Sequence, residues 1–460
     1  MTTTDRPRVL IAGGGVAGVE TLLALSHLVG EQVSVELLAP ERAFIHRPSS
    51  VAAPFGFGGP AALDLGELVR RFGGGLHRGA VSAVDAEHRI VVAAPSGEAI
   101  PYDVLVVAVG AVSRAAVPGA LTFAGPRDAP ALEDLLDAVA RGEFRRLAFT
   151  LPAGATWSLP VYELAVMASV ELRNRGVSDV EITVVTPESE PLWIFGAAAG
   201  TAVRDMLAAR GIELETGARP LAARDGRLIL DGAEPLEADA VVALPQLSGP
   251  HLDGLPADRD GFLPVDAHGR VAGVAGVYAA GDATTFPIKQ GGLATQQADA
   301  VAEAIAEAVG ALREAAPFRP VLRGLLLTGG APLYLRAELF GPTGATTART
   351  LRGVASGRAL WWPPGKVAGR YLAPYLADAR PVDLADEPLA DRGASRSAPA
   401  PDRDDAFELA LLLAEEDAKM GDYRQALHAL DAAAALTGGV LPAAWAQHRS
   451  RWQRELARTR

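Results

Sequence analysis

The segment Val9-Leu10-Ile11-Ala12-Gly13-Gly14-Gly15-Val16-Ala17-Gly18-Val19-Glu20 constrains this chain more than any other. A short apolar run passes directly into a glycine cluster and then into a helix-forming stretch. Gly13 permits a tight turn after a strand, Gly15 lets backbone approach a pyrophosphate, and Gly18 lets helix and strand pack closely. The start of the helix offers unpaired N–H groups and the positive end of its dipole, both of which favour phosphate. Three glycines at this spacing are weak evidence alone, but a buried strand before them and a helix after them supply the required context. The segment therefore reads as a dinucleotide-binding βαβ turn, with Val16 and Ala17 completing it; the competing reading is a glycine-rich turn without a ligand. The acid that usually holds a ribose at the end of the second strand is displaced. Ala39 fills that place and Glu41 follows after Pro40, either reaching the ribose from the loop or standing as a solvated charge.

Strand-like and helix-like stretches alternate through the first 320 residues, which implies parallel sheets with helices on both faces. Residues 8–12, 32–39 and 104–109 read as strands and 16–29 as the first helix. A second βαβ unit starts at residue 147, with a helix over 161–173 and a strand over 181–186. Residues 241–244 and 276–280 read as strands returning to the first domain, and 325–327 and 334–337 as strands of a smaller closing domain. The expected architecture is α/β: two Rossmann-like three-layer domains, a C-terminal closing domain and an α-helical tail. The expected spans are 1–120 and 245–319 for the first domain, 121–244 for the second, 320–380 for the closing domain, 381–404 for a linker and 405–460 for the tail. The linker is rich in Pro, Ala, Asp, Arg and Ser, with little to bury. In the tail, residues 407–420 and 423–436 read as helices joined by Gly421-Asp422, similar to one tetratricopeptide-type pair, with a third helix over 442–457. One such pair is too short for a solenoid, so a tail packed on the body or on another chain is expected.

Three later segments narrow the ligand. Tyr102-Asp103-Val104-Leu105-Val106-Val107-Ala108-Val109-Gly110-Ala111 resembles the Ala-Thr-Gly segment of two-dinucleotide flavoproteins, with Val109 in place of Thr. Gly276-Val277-Tyr278-Ala279-Ala280-Gly281-Asp282-Ala283 resembles their second FAD motif. Pro287-Ile288-Lys289-Gln290-Gly291-Gly292-Leu293-Ala294 then opens a helix. Together with Phe44-Ile45-His46-Arg47-Pro48-Ser49, Val185-Thr186-Pro187-Glu188, Pro191-Leu192-Trp193-Ile194-Phe195-Gly196 and Pro317-Phe318-Arg319-Pro320, these make residues 8 to about 375 similar to the pyridine nucleotide–disulfide oxidoreductase superfamily. Within it the sulfide:quinone reductase and type II NADH dehydrogenase branch is the most similar; the tail lies outside the resemblance. The resemblance implies FAD, held by Gly13, Gly15, Val16, Ala17, Gly18, Glu41, Arg47, Gly110, Ala111, Gly281, Asp282, Lys289, Gln290, Gly291 and Ala294. It implies that Asp282 accepts a hydrogen bond from the ribityl chain. It also implies that the helix after Lys289 aims its N-terminus at the pyrimidine edge of the flavin, where its dipole and Lys289 would stabilise negative charge. Lys289 is the one candidate for tuning the flavin, against the plainer reading of a solvated cation at a helix start. No acid–base residue is assigned.

The second βαβ unit lacks the glycines that a nicotinamide site needs. Registered on Glu163-Leu164-Ala165, their places hold Thr156, Ser158 and Val161. Side chains there block close approach to a pyrophosphate, and Pro160 removes an N–H that an anion would use. Trp157 and Tyr162 either line a pocket over the flavin or pack between domains.

The chain has no cysteine, which excludes disulfides, thiolate metal sites and a redox dithiol, and with them the cysteine-dependent oxidation of sulfide. Its eight histidines include no helical i,i+4 pair, so no metal site is expected. A net charge of −12 without a dominant basic patch argues against nucleic-acid binding. No apolar run reaches the roughly 18 residues that span a bilayer, and residues 1–7 lack the apolar stretch of a signal peptide. A cytoplasmic protein is expected, with peripheral contact at the inner face of the membrane as an option. That option rests on residues 361–376, where exposed tryptophans beside Lys366 and Arg370 suit an interfacial anchor, and the resemblance implies that the C-terminal domain carries a quinone pocket and a membrane-facing surface; a lid over the flavin or a dimer contact is the alternative. The sequence thus points to an FAD-dependent oxidoreductase passing electrons from an unidentified donor to a quinone or another small acceptor. One alternative is a type II NADH:quinone oxidoreductase in which Glu163 and Glu188 face the nicotinamide. The other is a flavin-binding interaction or sensor protein that engages a second copy or a protein partner through the tail.

Overall fold

The apolar run before the glycines forms the central strand, Arg8–Ala12, of a five-stranded parallel sheet. Its order is Val277–Ala279, Val104–Val107, Arg8–Ala12, Ser34–Ala39, Gly75–Arg78, with Ile11 opposite both Val106 and Leu37. Successive side chains of a strand point to opposite faces. Val9 and Ile11 pack with the helices Val16–Leu28 and Gly291–Ala308, while Leu10 and Ala12 pack with the antiparallel meander Ala80–Asp85, Ile90–Ala94, Glu98–Pro101. Both faces are covered, which is why the run is apolar throughout rather than alternating. This computed structural model describes residues 6–57, 61–340, 349–378, 423–436 and 441–458, together with positions 411, 414 and 418.

A second parallel sheet has the order Leu121–Thr122, Ala240–Ala243, Arg146–Thr150, Glu181–Thr186, Ile212–Thr216. The strand expected over residues 241–244 to return to the first domain belongs here: Val241 lies opposite Ala148, and Val242 opposite both Phe149 and Leu121. Its apolar residues fit either sheet, and the ribbon that pairs Val112–Arg114 with Gln246–Ser248 carries the chain out only after this strand is complete. The strand expected over 276–280 does return, pairing Val277–Ala279 with Leu105–Val107. The helix of the second unit, Leu159–Asn174, starts earlier than expected, with Pro160 in its first turn where a missing N–H costs nothing.

The closing region is a three-stranded antiparallel sheet, Val321–Leu326, Leu333–Phe340, Arg349–Ser356. Its third strand carried no pattern strong enough to be read from the sequence. Leu322, Leu326 and Leu335 share one core with Phe149 and Leu164 of the second unit and with Val51 and Phe55 of the 3₁₀ segment Arg47–Phe55. In the tail, Tyr423–Leu436 and Ala443–Arg458 are helical and pack around Trp452. The linker at 381–404 lies outside the described residues, as does all of the 407–420 helix but its positions 411, 414 and 418, which are helical.

The helix after the glycine turn carries one charged residue into the core. Glu20 is fully buried, and its carboxylate accepts from the backbone N–H of Tyr371 at 2.8 Å and of Leu372 at 2.7 Å. It thereby ties residues 371–378 onto the first domain. Asp299, from Gly291–Ala308, meets Glu20, while Arg370 Nη1 bonds Glu303 Oε1 at 3.2 Å. Burial pushes the Glu20 carboxyl from 4.5 up to about 7, against the pull of its backbone donors, and burial raises Asp299 as well. A carboxyl whose folded pKa exceeds its unfolded value binds its proton more tightly in the folded protein. Its contribution is therefore complete below the unfolded pKa and is lost as pH rises through the folded one. Denaturant titrations between pH 4.5 and 7 should show a loss on the order of 3 kcal/mol. Asp299→Asn, whose amide mimics the protonated acid, should flatten that slope and raise Tm on its alkaline side.

Candidate functional site

Each fingerprint glycine has its own steric reason. A Cβ on Gly13, at φ +120°, would lie 2.2 Å from the Ala108 carbonyl of the neighbouring strand, so the turn closes only without one. A Cβ on Gly18 would lie 1.8 Å from the Gly13 carbonyl, so the helix seats against its own turn. A Cβ on Gly15 would meet nothing within 4 Å. Gly15 is also the N-cap of Val16–Leu28, with no side-chain cap and no acid in the first turn. A helix end without a capping side chain beside an open glycine is the cradle an anionic ligand would fill.

Residues far along the chain converge on the cradle. A Cβ on Gly281 (φ +80°) would lie 3.1 Å from Ala17 Cβ and 3.4 Å from Ala294 Cβ, so three small residues from separate segments meet. Gly110, at φ +76°, has nothing within 4 Å of its Cβ position, and Ala111 beside it is half-buried. Glu41 and Arg47 stand 3.7 Å apart at the open end of Ser34–Ala39, both largely exposed.

Lys289 is not a solvated cation. It is buried, its ammonium donates to the Thr284 carbonyl, and it sits 3.7 Å above the Phe262 ring. Burial lowers its pKa to about 8, with Asp282 pulling the other way. Burial raises the Asp282 carboxyl against the Lys289 charge and the Gln290 N–H. Gln290 caps Gly291–Ala308 by accepting from Leu293 N at 2.8 Å, and it donates to the Arg323 carbonyl at 2.9 Å. Both side chains thus already have partners within the protein.

At Gly291 the helix start meets Val367 and Pro48, which a Cβ would approach to 2.9 and 3.4 Å. Next to Val367, Lys366 Nζ bonds both oxygens of Glu163, at 2.5 and 2.6 Å, and the Leu325 carbonyl at 3.2 Å; Leu327 N donates to Glu163 Oε1. Burial pushes Glu163 up, with Lys366 opposing it. Burial and the Lys366 charge hold His46 down at about 4. Lys366 and Glu163 stand 203 positions apart, and no local pattern links them.

At the second βαβ turn the Glu188 carboxylate already has partners. Glu188 accepts from Ser158 Oγ at 2.8 Å, from Tyr162 Oη at 2.6 Å and from Thr186 Oγ1 at 3.1 Å. Ser158 and Tyr162 are four residues apart at the start of one helix and so share a face; that spacing was the available signal. Tyr162 is fully buried in this network and lines no open pocket; of its two readings the packed one holds. Trp157 packs on Phe195 with ring centroids 5.8 Å apart. The exposed tryptophan anchor also fails: Trp361 is 5% exposed, meets Tyr334 edge to face and donates to the Gly365 carbonyl. Trp362 packs against the tail core of Ala426, Leu430 and Trp452. Apolar tryptophans beside prolines found partners inside the protein, which the sequence could not specify.

The family model described as pyridine nucleotide-disulphide oxidoreductase matches residues 7–308. The chain belongs to this family. Its members are flavoproteins, typically with FAD, and the open cradle fits such a dinucleotide. An NADH dehydrogenase-like protein of Mycobacterium tuberculosis is 28% identical over 295 residues, 60% of this chain and 72% of that one. The sulfide:quinone oxidoreductase of the hyperthermophilic bacterium Aquifex aeolicus superposes with a TM-score of 0.69 at 20% identity, covering 76% of this chain and 86% of that one. NDH2 of Plasmodium falciparum, solved with NADH, gives a TM-score of 0.52 at 16% identity, covering 61% and 64%. At these identities the two structures attest the fold. Among the described residues no helix is long and apolar enough to cross a membrane, and no group of His, Cys, Asp and Glu could hold a metal ion.

Two outcomes follow from the sterics and the buried pair. Gly15→Val should leave the melting curve of the flavin-free protein nearly unchanged while reducing visible flavin absorbance per protein at least tenfold, whereas Gly18→Ala should cost about 3 kcal/mol or more by overpacking. Lys366→Met, which strands the Glu163 carboxylate, should cost about 3–5 kcal/mol in denaturant titrations, and adding Glu163→Gln should restore a large part of that.

Proposed function

We propose that this chain is an FAD-dependent oxidoreductase that takes electrons from a donor other than NAD(P)H and delivers them to a quinone or another small acceptor. One observation carries the reading. The first βαβ turn leaves Gly15 open at an uncapped helix start, while the second turn spends Glu188 on Ser158, Tyr162 and Thr186. Phosphate chemistry is supported at one turn and opposed at the other.

FAD, when bound, supplies the two-electron redox chemistry. The chain supplies the rest. Gly13, Gly15 and Gly18, with Ala17, Gly281 and Ala294, form the backbone cradle for the pyrophosphate. Glu41 and Arg47 stand at the adenosine side. Asp282 serves the ribityl chain, with the Lys289 charge opposing the upward push that burial gives its carboxyl. Glu163 and Lys366 hold a proton between a carboxylate and an amine in a buried setting, beside the junction of Pro48, Gly291 and Val367. A pair of that kind suits a reaction that must take up or release protons with its electrons.

A second reading, oxidation of NADH, is favoured by the name of the mycobacterial relative and by the retained second sheet. Anaerobic stopped-flow mixing separates the two. The expected outcome is that neither NADH nor NADPH bleaches the visible flavin band within seconds, while dithionite does. Ser158→Gly combined with Tyr162→Phe frees Glu188 of two donors and should raise the bleaching rate with NADH by about tenfold. Fast bleaching of the unmodified protein would overturn the first reading in favour of the second.

A further inference from the structure

The helix Leu159–Asn174 carries Ser158 and Glu163 at one end and a different chemistry at the other. Parallel α/β sheets bind dinucleotides at the carboxyl ends of their strands. Around the opposite ends, near Ile182 and Ile212, lies a cavity of about 200 Å³. Its apolar lining comes from Leu172, Val177, Val180, Ile182 and Ile212, and its charges are Arg173 and Arg210.

These two arginines are fixed and uncompensated. Arg173 Nε donates to the Ser169 carbonyl at 3.2 Å, and Nη2 donates to Ser169 Oγ at 2.5 Å and the Arg210 carbonyl at 3.1 Å. Arg210 Nη1 donates to the Met206 carbonyl at 3.1 Å. Arg173 Nη1 and Arg210 Nε and Nη2 remain as donors. Among the described residues no carboxylate pairs with either guanidinium. Burial, and then the charge of Arg173, depress Arg210. Several acids of the surrounding surface pair with other arginines. Arg175 has both Glu171 and Asp137 at 2.7 Å, Arg145 has Asp179 at 2.8 Å, and Arg204 has Glu190 at 2.5 Å. Two guanidiniums held together at a cavity mouth without a counter-charge carry a repulsion that an anion would remove.

We propose that this cavity binds a small oxyanion, a carboxylate or phosphate ester on a short apolar body, gripped by Arg173 and Arg210. The free Nε and Nη2 of Arg210 form a planar fork that matches either oxyanion bidentately, Arg173 Nη1 adds a further donor, and the aliphatic walls take the body. A cavity of 200 Å³ lies below the usual range of about 300–1,000 Å³ for drug-sized ligands, so the occupant has only a few heavy atoms. The site is separate from the flavin cradle and independent of which donor reduces the flavin.

Isothermal titration of the flavin-loaded full chain at constant ionic strength tests this, with inorganic phosphate and butyrate as probes. At least one probe should saturate a single site. Arg210→Gln should weaken that binding by about tenfold or more, Arg210→Lys by less, and Arg204→Gln not at all, all with unchanged visible flavin absorbance. Tighter phosphate assigns the ester class, and tighter butyrate the carboxylates. Absence of saturable binding by both probes, or equal binding by Arg210→Gln and the parent, would overturn the proposal.

Discussion

The close approach of Gly13 to the Ala108 carbonyl, and of Gly18 to the Gly13 carbonyl, is the constraint on which the rest of the structure depends. Both contacts lie inside the distance at which any side chain fits, so the strand Arg8–Ala12, the turn and the helix Val16–Leu28 form one rigid corner. That corner fixes where the helix crosses the sheet. Ala17 then faces Gly281 and Ala294, and Gly291–Ala308 packs alongside Val16–Leu28 through Ala298, Val301 and Ile305. Two residues past Gly18, Glu20 is carried into the core and captures the backbone of Tyr371 and Leu372. A turn near the start of the chain thus positions segments some 270 and 350 residues later. The cradle is a by-product of the same geometry, because Gly15 is the one glycine of the three with no protein atom to meet.

Four acids, Glu20 and Glu163 buried and Glu188 and Asp282 half-buried, show how differently the fold resolves one problem. An uncompensated charge in a low-dielectric interior is costly, so each must find a partner or stay protonated. Glu20 takes backbone N–H groups and shares its site with Asp299; Glu163 takes Lys366; Glu188 takes hydroxyls; Asp282 leans on Lys289 and the Gln290 N–H. Glu188 is satisfied by neutral donors from its own unit, so a ribose would have to compete with three existing bonds. Among the described residues the Gln290 N–H is the direct donor to Asp282, which keeps lone pairs for a ligand. The acid at the first site is therefore partly free and the acid at the second is spent, which repeats the contrast between the two turns in hydrogen bonds rather than in glycines.

The fingerprint turn, the first helix and the strand at 181–186 were legible because each rests on local sequence: glycines at fixed spacing, an apolar run, β-branched residues. The missing glycines of the second unit were legible for the same reason. What the sequence hid was pairing over distance. Lys366 sits in a segment whose tryptophans drew attention, yet its partner is Glu163, and neither position has a local signature of the bond. The strand expected over 241–244 in the first sheet belongs to the second, because its apolar residues fit any buried strand and only the register against Ala148 and Leu121 distinguishes them. Lys289 was read at a helix start in either of two roles. Its burial over Phe262 excludes the solvated one and leaves its charge acting on Asp282.

The second unit has Thr156, Ser158 and Val161 where the first has glycines, yet it keeps a regular parallel register. The reason lies in its core. Phe149, Leu164 and Val184 are packed in the same apolar cluster as Leu322, Leu326 and Leu335 of the closing sheet and Val51 and Phe55 of the segment that presents His46 and Pro48. Glu163, from the helix of that unit, also anchors Lys366 beside the flavin-side junction. The second sheet is thus the wall against which the closing sheet and the Arg47–Phe55 segment are built. Removing it would expose all three sets of side chains at once, a loss far greater than that of a few hydrogen bonds to a nicotinamide. A site can be filled by Ser158 and Tyr162 at small cost; the sheet behind it cannot be given up without losing the first site too.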